Sequence, residues 1–261
     1  MVVAIVILLA SVQGFTEFLP ISSSGHLFII PWAFNLPYLG LRFDAAIHIG
    51  TALALLIFFW RDFYNLFKKR DKLLLYIAIA SVPAAIAGYF GDKYIESIFR
   101  VSSLAPLFIG SGIIFFGILM YLVDKRAKLD KDLAHIGKNR ALFIGFAQAL
   151  ALIPGTSRSG ITITAGEYLG LNRESAARFS FLLATPISLG AGLYKFLQMI
   201  TDPQPGGSIP LTILGIVVAF IVGVAVIRWF LDYLKSHSLL AFVLYRVVLG
   251  STVILIWILR R

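Results

Sequence analysis

Charge is what this chain lacks. Only 14% of its 261 residues are Asp, Glu, Lys or Arg, whereas a soluble domain needs roughly a quarter to cover its surface. Cysteine is absent altogether, which excludes disulfides and thiol chemistry and leaves the redox compartment unread. No Lys or Arg precedes the first apolar run and no small-residue cleavage site follows it, so mature protein rather than a removed leader is expected at the N-terminus. Acidic residues are scarcer than basic ones, 13 against 23. That surplus can point to nucleic acid, but the basic residues gather in short loops between apolar runs, as cytoplasmic loops of membrane proteins do. No nucleic-acid partner is expected.

What is present is apolar. Hydrophobic residues make up 59% of the chain and the mean hydropathy is +0.89, an excess that must face lipid. Six stretches, from about Ala45 to Trp60, Leu73 to Phe90, Ala105 to Val123, Phe179 to Leu197, Ile209 to Ile227 and Leu239 to Leu259, approach the roughly 20 residues that cross a bilayer as a helix. Two more, before Ser22 and before Ser157, are too short and too interrupted by polar residues to be ordinary spans.

Two strongly basic loops, one with Arg61, Lys68, Lys69, Arg70 and Lys72 and the other with Lys125, Arg126, Lys128, Lys131, Lys138 and Arg140, are separated by two spans. They share one side, cytoplasmic by the positive-inside rule. The loop with Asp92, Lys93, Glu96 and Arg100 and the turn from Asp202 to Ser208 then lie outside.

The chain also resembles itself. Gln13, Ser22, Ser24 and Gly25 recur as Gln148, Ser157, Ser159 and Gly160 at one constant offset. Each half adds three spans, and an odd number of spans points the halves opposite ways, the pattern of an inverted-topology repeat. The expected fold is an all-α integral membrane protein of six transmembrane helices plus two re-entrant helix pairs, one repeat over residues 1–125 and the other over 137–261. The first polar segment enters from outside and the second from the cytoplasm. Irregular backbone at membrane depth must be buried in protein or line a wet cavity, so the two segments should meet near mid-bilayer.

The first segment runs from Gln13 to His26. Gln13 and Glu17, four apart, share a helix face; Pro20 is expected to stop that helix, and Ser22, Ser23, Ser24 and Gly25 to turn the chain before His26. Intramembrane ionisable groups are functional candidates by default. The second segment, Pro154 to Thr162, offers Gly and Ser for turning backbone N–H groups toward an anion, a helix expected from about Ile161 with its positive N-terminus, and the Arg158 fork for phosphate oxygens. Bland readings exist for each part: serine turns cap helices, a lone His is often core, and Glu17 paired with Arg158 could merely pin the halves together. Together, and duplicated, they are the equipment for cleaving a phosphoanhydride. Asp44 and His48 look weaker, Asp44 being explained as a cap. Arg246, inside the last span, should need an anionic partner. Glu96, Glu167 and Glu174 read as loop or helix-end charges, and the glycines at 110, 112 and 215–223 as helix-packing surfaces.

These two segments, with the Tyr245-Arg246 pair near the end, resemble the signature motifs of the undecaprenyl-diphosphate phosphatase (bacitracin-resistance) family, and the resemblance covers essentially the whole chain. It implies hydrolysis of undecaprenyl diphosphate to the monophosphate at the outer face of the plasma membrane, a divalent cation (Mg²⁺ or Ca²⁺), membrane-lipid surroundings and often a homodimer. Carried over by motif, Gln13 and Glu17 hold the metal, although many members have Glu where this chain has Gln13. Ser22, Ser23, Ser24 and His26 match the serine-histidine motif, and Ser157, Arg158, Ser159, Gly160 and Thr162 the phosphate loop, with Arg246 as a further phosphate contact. Glu17, Ser23, His26 and Arg158 are the expected catalytic set. Ser23 attacks with His26 as base, or His26 itself attacks. The competing class is a polyprenyl-phosphate flippase using the same midplane anion site, which would need no nucleophile.

Overall fold

The computed structural model describes residues 1–99, 102–201 and 208–260, with the side chains of 41, 92–99 and 199 left aside. It is helical: α1 Val2–Thr16, α2 Ser23–Phe34, α3 Leu41–Phe58, α4 Trp60–Lys68, α5 Lys72–Phe99, α6 Ala105–Arg126, α7 Lys138–Ala149, α8 Arg158–Tyr168, α9 Arg173–Thr201, α10 Ile209–Leu234 and α11 Leu240–Leu259. Five of these (α5, α6, α9, α10 and α11) are long and apolar enough to cross a membrane, and the bent pair α3–α4 makes a sixth candidate. The chain is a multi-pass membrane protein. Arg100 and all but Ser208 of the turn from Asp202 lie outside the described residues.

The first expected span is not straight. It breaks at Phe59, and α4 leaves α3 at 61°. No Pro or Gly marks the break; the pattern changes instead, from the apolar run of α3 to Trp-Arg-Asp-Phe-Tyr-Asn-Leu-Phe-Lys. None of α4's residues is buried. Phe63 and Leu66 lean on the core while Trp60, Tyr64 and Phe67 stay exposed, with the Arg61 guanidinium 5.3 Å above the Trp60 ring and the Lys68 ammonium 5.7 Å from Tyr64. Such a helix belongs at the headgroup level.

Four short helices serve the two polar segments: α1 with α2, and α7 with α8. α1 ends at Thr16, earlier than Pro20, because Pro20 already lies in a non-helical turn over residues 17–21. α2 begins at Ser23 and takes His26 into its first turn. α8 likewise begins at Arg158, ahead of Ile161, so Arg158 is its first residue. Ser22 (φ 74°) and Ser157 (φ 72°) cap these two helices in the left-handed region, which a serine enters only at some cost; both are held by burial.

The long helices enclose the short ones. α3 lies between α9 and α10, α6 against α11, α1 against α10 and α7 against α5. Small residues permit the closest crossings, as expected: a Cβ on Gly250 would meet the Gly110 carbonyl at 2.6 Å, and one on Gly110 the Gly250 carbonyl at 3.0 Å. A chain of aromatic edges ties the interior together. Phe18 meets Phe181 at 5.5 Å, Phe181 meets Phe59 at 6.4 Å and Phe230 at 6.1 Å, and Phe230 meets Phe242 at 5.4 Å. Edge-to-face pairs of this kind are worth about 0.5–1.5 kcal/mol beyond burial. Because Phe18 follows Glu17, this chain fixes the first polar turn to α9 and α10.

Candidate functional site

The two polar turns meet. The Glu17 carboxylate, 8% exposed, is where they join: Oε1 accepts from the Arg158 guanidinium, and Oε2 accepts from Ser23 Oγ at 2.5 Å and from Gln13 Nε2 at 3.0 Å. The helical spacing of Gln13 and Glu17 is thus realised, since Glu17 keeps helical dihedrals just past the end of α1. Arg158 also donates to Ser188 Oγ and to the Ala184 carbonyl on α9. Four elements therefore orient one carboxylate and one guanidinium.

A residue treated as marginal in the sequence joins this set. His48 on α3 places Nε2 3.5 Å from Glu17 Oε2, while its Nδ1 sits 2.7 Å from the Asp44 carbonyl one turn earlier. Asp44 is not a cap: Gly40 holds that position with no side-chain cap bond, and Asp44 is the fourth residue of α3, buried and accepting from the Tyr38 hydroxyl at 3.2 Å.

His26 is close to Ser23 in sequence but not in hydrogen bonding. Its Nδ1 lies 2.7 Å from the Ser22 carbonyl and its Nε2 2.6 Å from the Tyr245 hydroxyl on α11. Among the described residues the expected Ser23–His26 pair is not hydrogen-bonded; Ser23 bonds Glu17 instead. The physical reason is the start of α2: with His26 inside the first turn, its ring folds back over the Ser22 carbonyl rather than toward Ser23. Ser23 and Ser24 are half-buried, so both hydroxyls remain reachable.

The second turn is ordered from within. Ser157 Oγ accepts the Gly160 N–H at 3.1 Å and lies 3.2 Å from Ser159 Oγ. Ser159 donates to the Leu19 carbonyl of the first turn at 2.9 Å, and Thr162 Oγ1 lies 2.6 Å from Ser180 Oγ. Gly155 (φ +85°) brings this turn against α6, where a Cβ would meet the Ile109 carbonyl at 2.5 Å. The Gly160 N–H, one of the expected anion donors, is spent on the Ser157 cap.

Arg246 corrects an expectation. It is completely buried and has no anionic partner among the described residues. Nε donates to the Ile113 carbonyl at 2.9 Å, Nη1 to those of Pro20 and Thr156 at 2.9 and 3.1 Å, and Nη2 to that of Gly155 at 2.8 Å. Four carbonyls take the place of a carboxylate, and a guanidinium so occupied and enclosed is not a phosphate contact. It is the clasp between the two turns. Glu167 also differs from expectation: though one residue from the end of α8, it is fully buried, and neither carboxylate oxygen has a hydrogen-bond partner. Glu174 lies in the first turn of α9, as expected; the Glu96 side chain is outside the described residues.

Among the described residues no group of three or more His, Cys, Asp or Glu side chains could hold a metal ion. The expected pair offers oxygen all the same. Gln13 Oε1 is buried with no partner, beside the Glu17 carboxylate. One neutral and one anionic oxygen suit a hard cation that completes its shell with water and substrate phosphate.

Against known proteins, residues 6–252 match the family model described as bacitracin resistance protein BacA. A protein of Pelotomaculum thermopropionicum named undecaprenyl-diphosphatase is 42% identical over 258 residues, covering 96% of this chain and 95% of its own length. Proteins of the same name from Desulforudis audaxviator and Thermodesulfovibrio yellowstonii are each 43% identical, over 263 and 257 residues, with coverage of 97% of both chains in the first case and of 98% of this chain and 97% of the relative in the second.

Proposed function

The chain belongs to the bacitracin resistance protein BacA family, and we propose that it is an undecaprenyl-diphosphatase, a membrane hydrolase that releases the terminal phosphate of a long-chain polyprenyl diphosphate. One observation carries this reading beyond the names of its relatives. A serine hydroxyl and an arginine, drawn from two separate turns, converge on the Glu17 carboxylate.

Ser23 is the nucleophile and Glu17 its base. Oε2 takes the hydroxyl proton while Oγ bonds to the terminal phosphorus, and the phosphorus–bridging-oxygen bond breaks to release polyprenyl monophosphate, whose departing oxygen takes that proton from Glu17 and leaves the carboxylate free. Water then attacks the phosphoserine; Glu17 accepts the water proton and returns one to Oγ, freeing inorganic phosphate. Such transfers are driven mainly by positioning and charge stabilisation. Arg158 turns from Glu17 to the phosphate oxygens, and Ser22, whose buried hydroxyl has no partner, and Ser24 complete the phosphate contacts. Ser157, Ser159 and Thr162 act by holding Arg158 and the turn in place. A Mg²⁺ or Ca²⁺ ion would be held by Glu17 and Gln13 and would neutralise diphosphate charge.

The two turns also favour the repeat reading, residues 1–125 against 137–261. The left-handed serine caps recur at the offset of the sequence motif, and the packing pairs α1–α10 and α7–α5 exchange into one another when the halves are swapped, while α3–α9 and α6–α11 map onto themselves. With the basic loops taken as cytoplasmic, our reading is of a plasma-membrane protein whose site opens outward.

The test is phosphate release from undecaprenyl diphosphate by the purified protein, with an acid quench to trap the intermediate. An acid-stable phosphoserine that disappears in Ser23→Ala supports the assignment. An acid-labile phosphohistidine lost in His26→Ala would transfer the nucleophile to His26, and absence of any phosphate release would sink the function itself.

A further inference from the structure

Tyr245 is neither an acid nor a base in the scheme above, yet its hydroxyl reaches across from α11 to a ring nitrogen in the first turn. Nδ1 of His26 lies 2.7 Å from the Ser22 carbonyl, which can only accept, so Nδ1 carries a proton. A neutral imidazole then has only a lone pair at Nε2, and the Tyr245 hydroxyl, 2.6 Å away, donates to it. The two rings are parallel to within 5°, with centroids 5.7 Å apart. The imidazole is nearly enclosed at 6% exposed, whereas Tyr245 is 44% exposed on the helix face that meets lipid. The neighbouring Arg246 is locked by four carbonyls. The backbone that presents the phenol is therefore immobile while the phenol itself borders the bilayer.

We propose that Tyr245 is a positioning residue: its hydroxyl occupies the single lone pair of His26 Nε2 and so fixes the orientation of the imidazole, whose Nδ1–H is set by the Ser22 carbonyl. Resting on the phosphatase reading, this gives His26 a task other than activating Ser23: with both ring nitrogens bonded it ties the Ser22 backbone, beside the serines read as phosphate contacts, to α11, and the phenol from the second half of the chain sets that orientation. Because the partner comes from the other half, the first turn alone does not make a complete site.

Tyr245→Phe keeps the ring and removes the donor, whereas Tyr245→Ala removes both. In the full-length protein with uniformly nitrogen-15-labelled histidine, the Nε2 resonance of His26 is identified by its loss in His26→Gln. It should lie upfield of an unbonded imine nitrogen in the wild type and move downfield in Tyr245→Phe. With undecaprenyl diphosphate as substrate, Tyr245→Phe should lower kcat by about tenfold, the share of one neutral hydrogen bond, and leave KM within about twofold. A purely structural ring predicts instead that Tyr245→Phe behaves as wild type while only Tyr245→Ala fails, which would overturn the proposal, as would a His26 resonance that does not move. If the wild type releases no phosphate, the functional reading fails on its own account, and the nitrogen-15 comparison still decides whether the hydroxyl bonds Nε2.

Discussion

The turn at residues 17–26 and the turn at 154–162 use the same backbone device for different ends. Each ends in a serine at positive φ that starts a helix. In the second, the serine side chain bonds the Gly160 N–H and the turn's hydroxyls hold one another and their neighbours. In the first, the equivalent Ser22 makes no side-chain cap bond and its buried hydroxyl has no partner. The second turn's capping serine is engaged within its own turn, whereas the first turn's Ser22 hydroxyl has no partner among the described residues. Two turns of the same backbone form thus carry different side-chain bonding, and the second contributes Arg158 to the Glu17 carboxylate.

The sharpest way to break this comparison is to separate the turns. Arg246→Met keeps bulk but leaves four buried carbonyls without a donor, each worth about 1–3 kcal/mol when orphaned. The variant is expected to lose at least about 10 °C of melting temperature in detergent or to fail to accumulate. Normal melting would show that the clasp is dispensable. Next, Glu17→Gln removes the shared carboxylate and should lower phosphate release by about a thousandfold, within the range for loss of a general base, with the fold intact by circular dichroism. Arg158→Lys keeps the charge but not the fork that spans Glu17 and α9, and should lower turnover by roughly a hundredfold. A lysine enzyme of near-normal rate would mean that charge alone suffices.

The smallest effects sharpen the contrast itself. Ser157→Ala loses a cap bond and should destabilise by about 1 kcal/mol, read as a lower melting temperature with little change in KM. Ser22→Ala loses no bond in the folded protein, so melting should hold steady while KM for the diphosphate rises several-fold. The reverse pattern, Ser22→Ala unstable and Ser157→Ala impaired in binding, would exchange the roles assigned to the two turns.

Much of this was legible from spacing, because the site's backbone repeats at one offset and the Gln13–Glu17 bond follows from helical geometry. What escaped was anything whose partner lies far along the chain or on the backbone. His48 reaches Glu17 from a different helix, with no local pattern to announce it. Arg246 is satisfied by carbonyls, which a sequence does not display, so an anion seemed necessary. His26 was read as a base for Ser23 from proximity along the chain, but starting α2 three residues earlier turned its ring toward α11. The break at Phe59 carried a signal of another kind, a change from uniform to two-faced patterning, although none of the usual breaking residues is present.

That break has a consequence for where catalysis occurs. With α4 at the headgroups through its exposed Trp60, Tyr64 and Phe67, and its basic loop taken as cytoplasmic, α3 becomes a ruler rising from the inner surface. His48 stands twelve residues above Trp60, or about 18 Å at the helical rise, a little past the midplane of a hydrocarbon core roughly 30 Å thick. The site is thus measured from the inner leaflet although its substrate is read as arriving from the outer one. On that reading each added pair of methylenes in the lipid tails deepens the approach from outside without moving the anchor, and phosphate release is expected to fall as the bilayer is thickened.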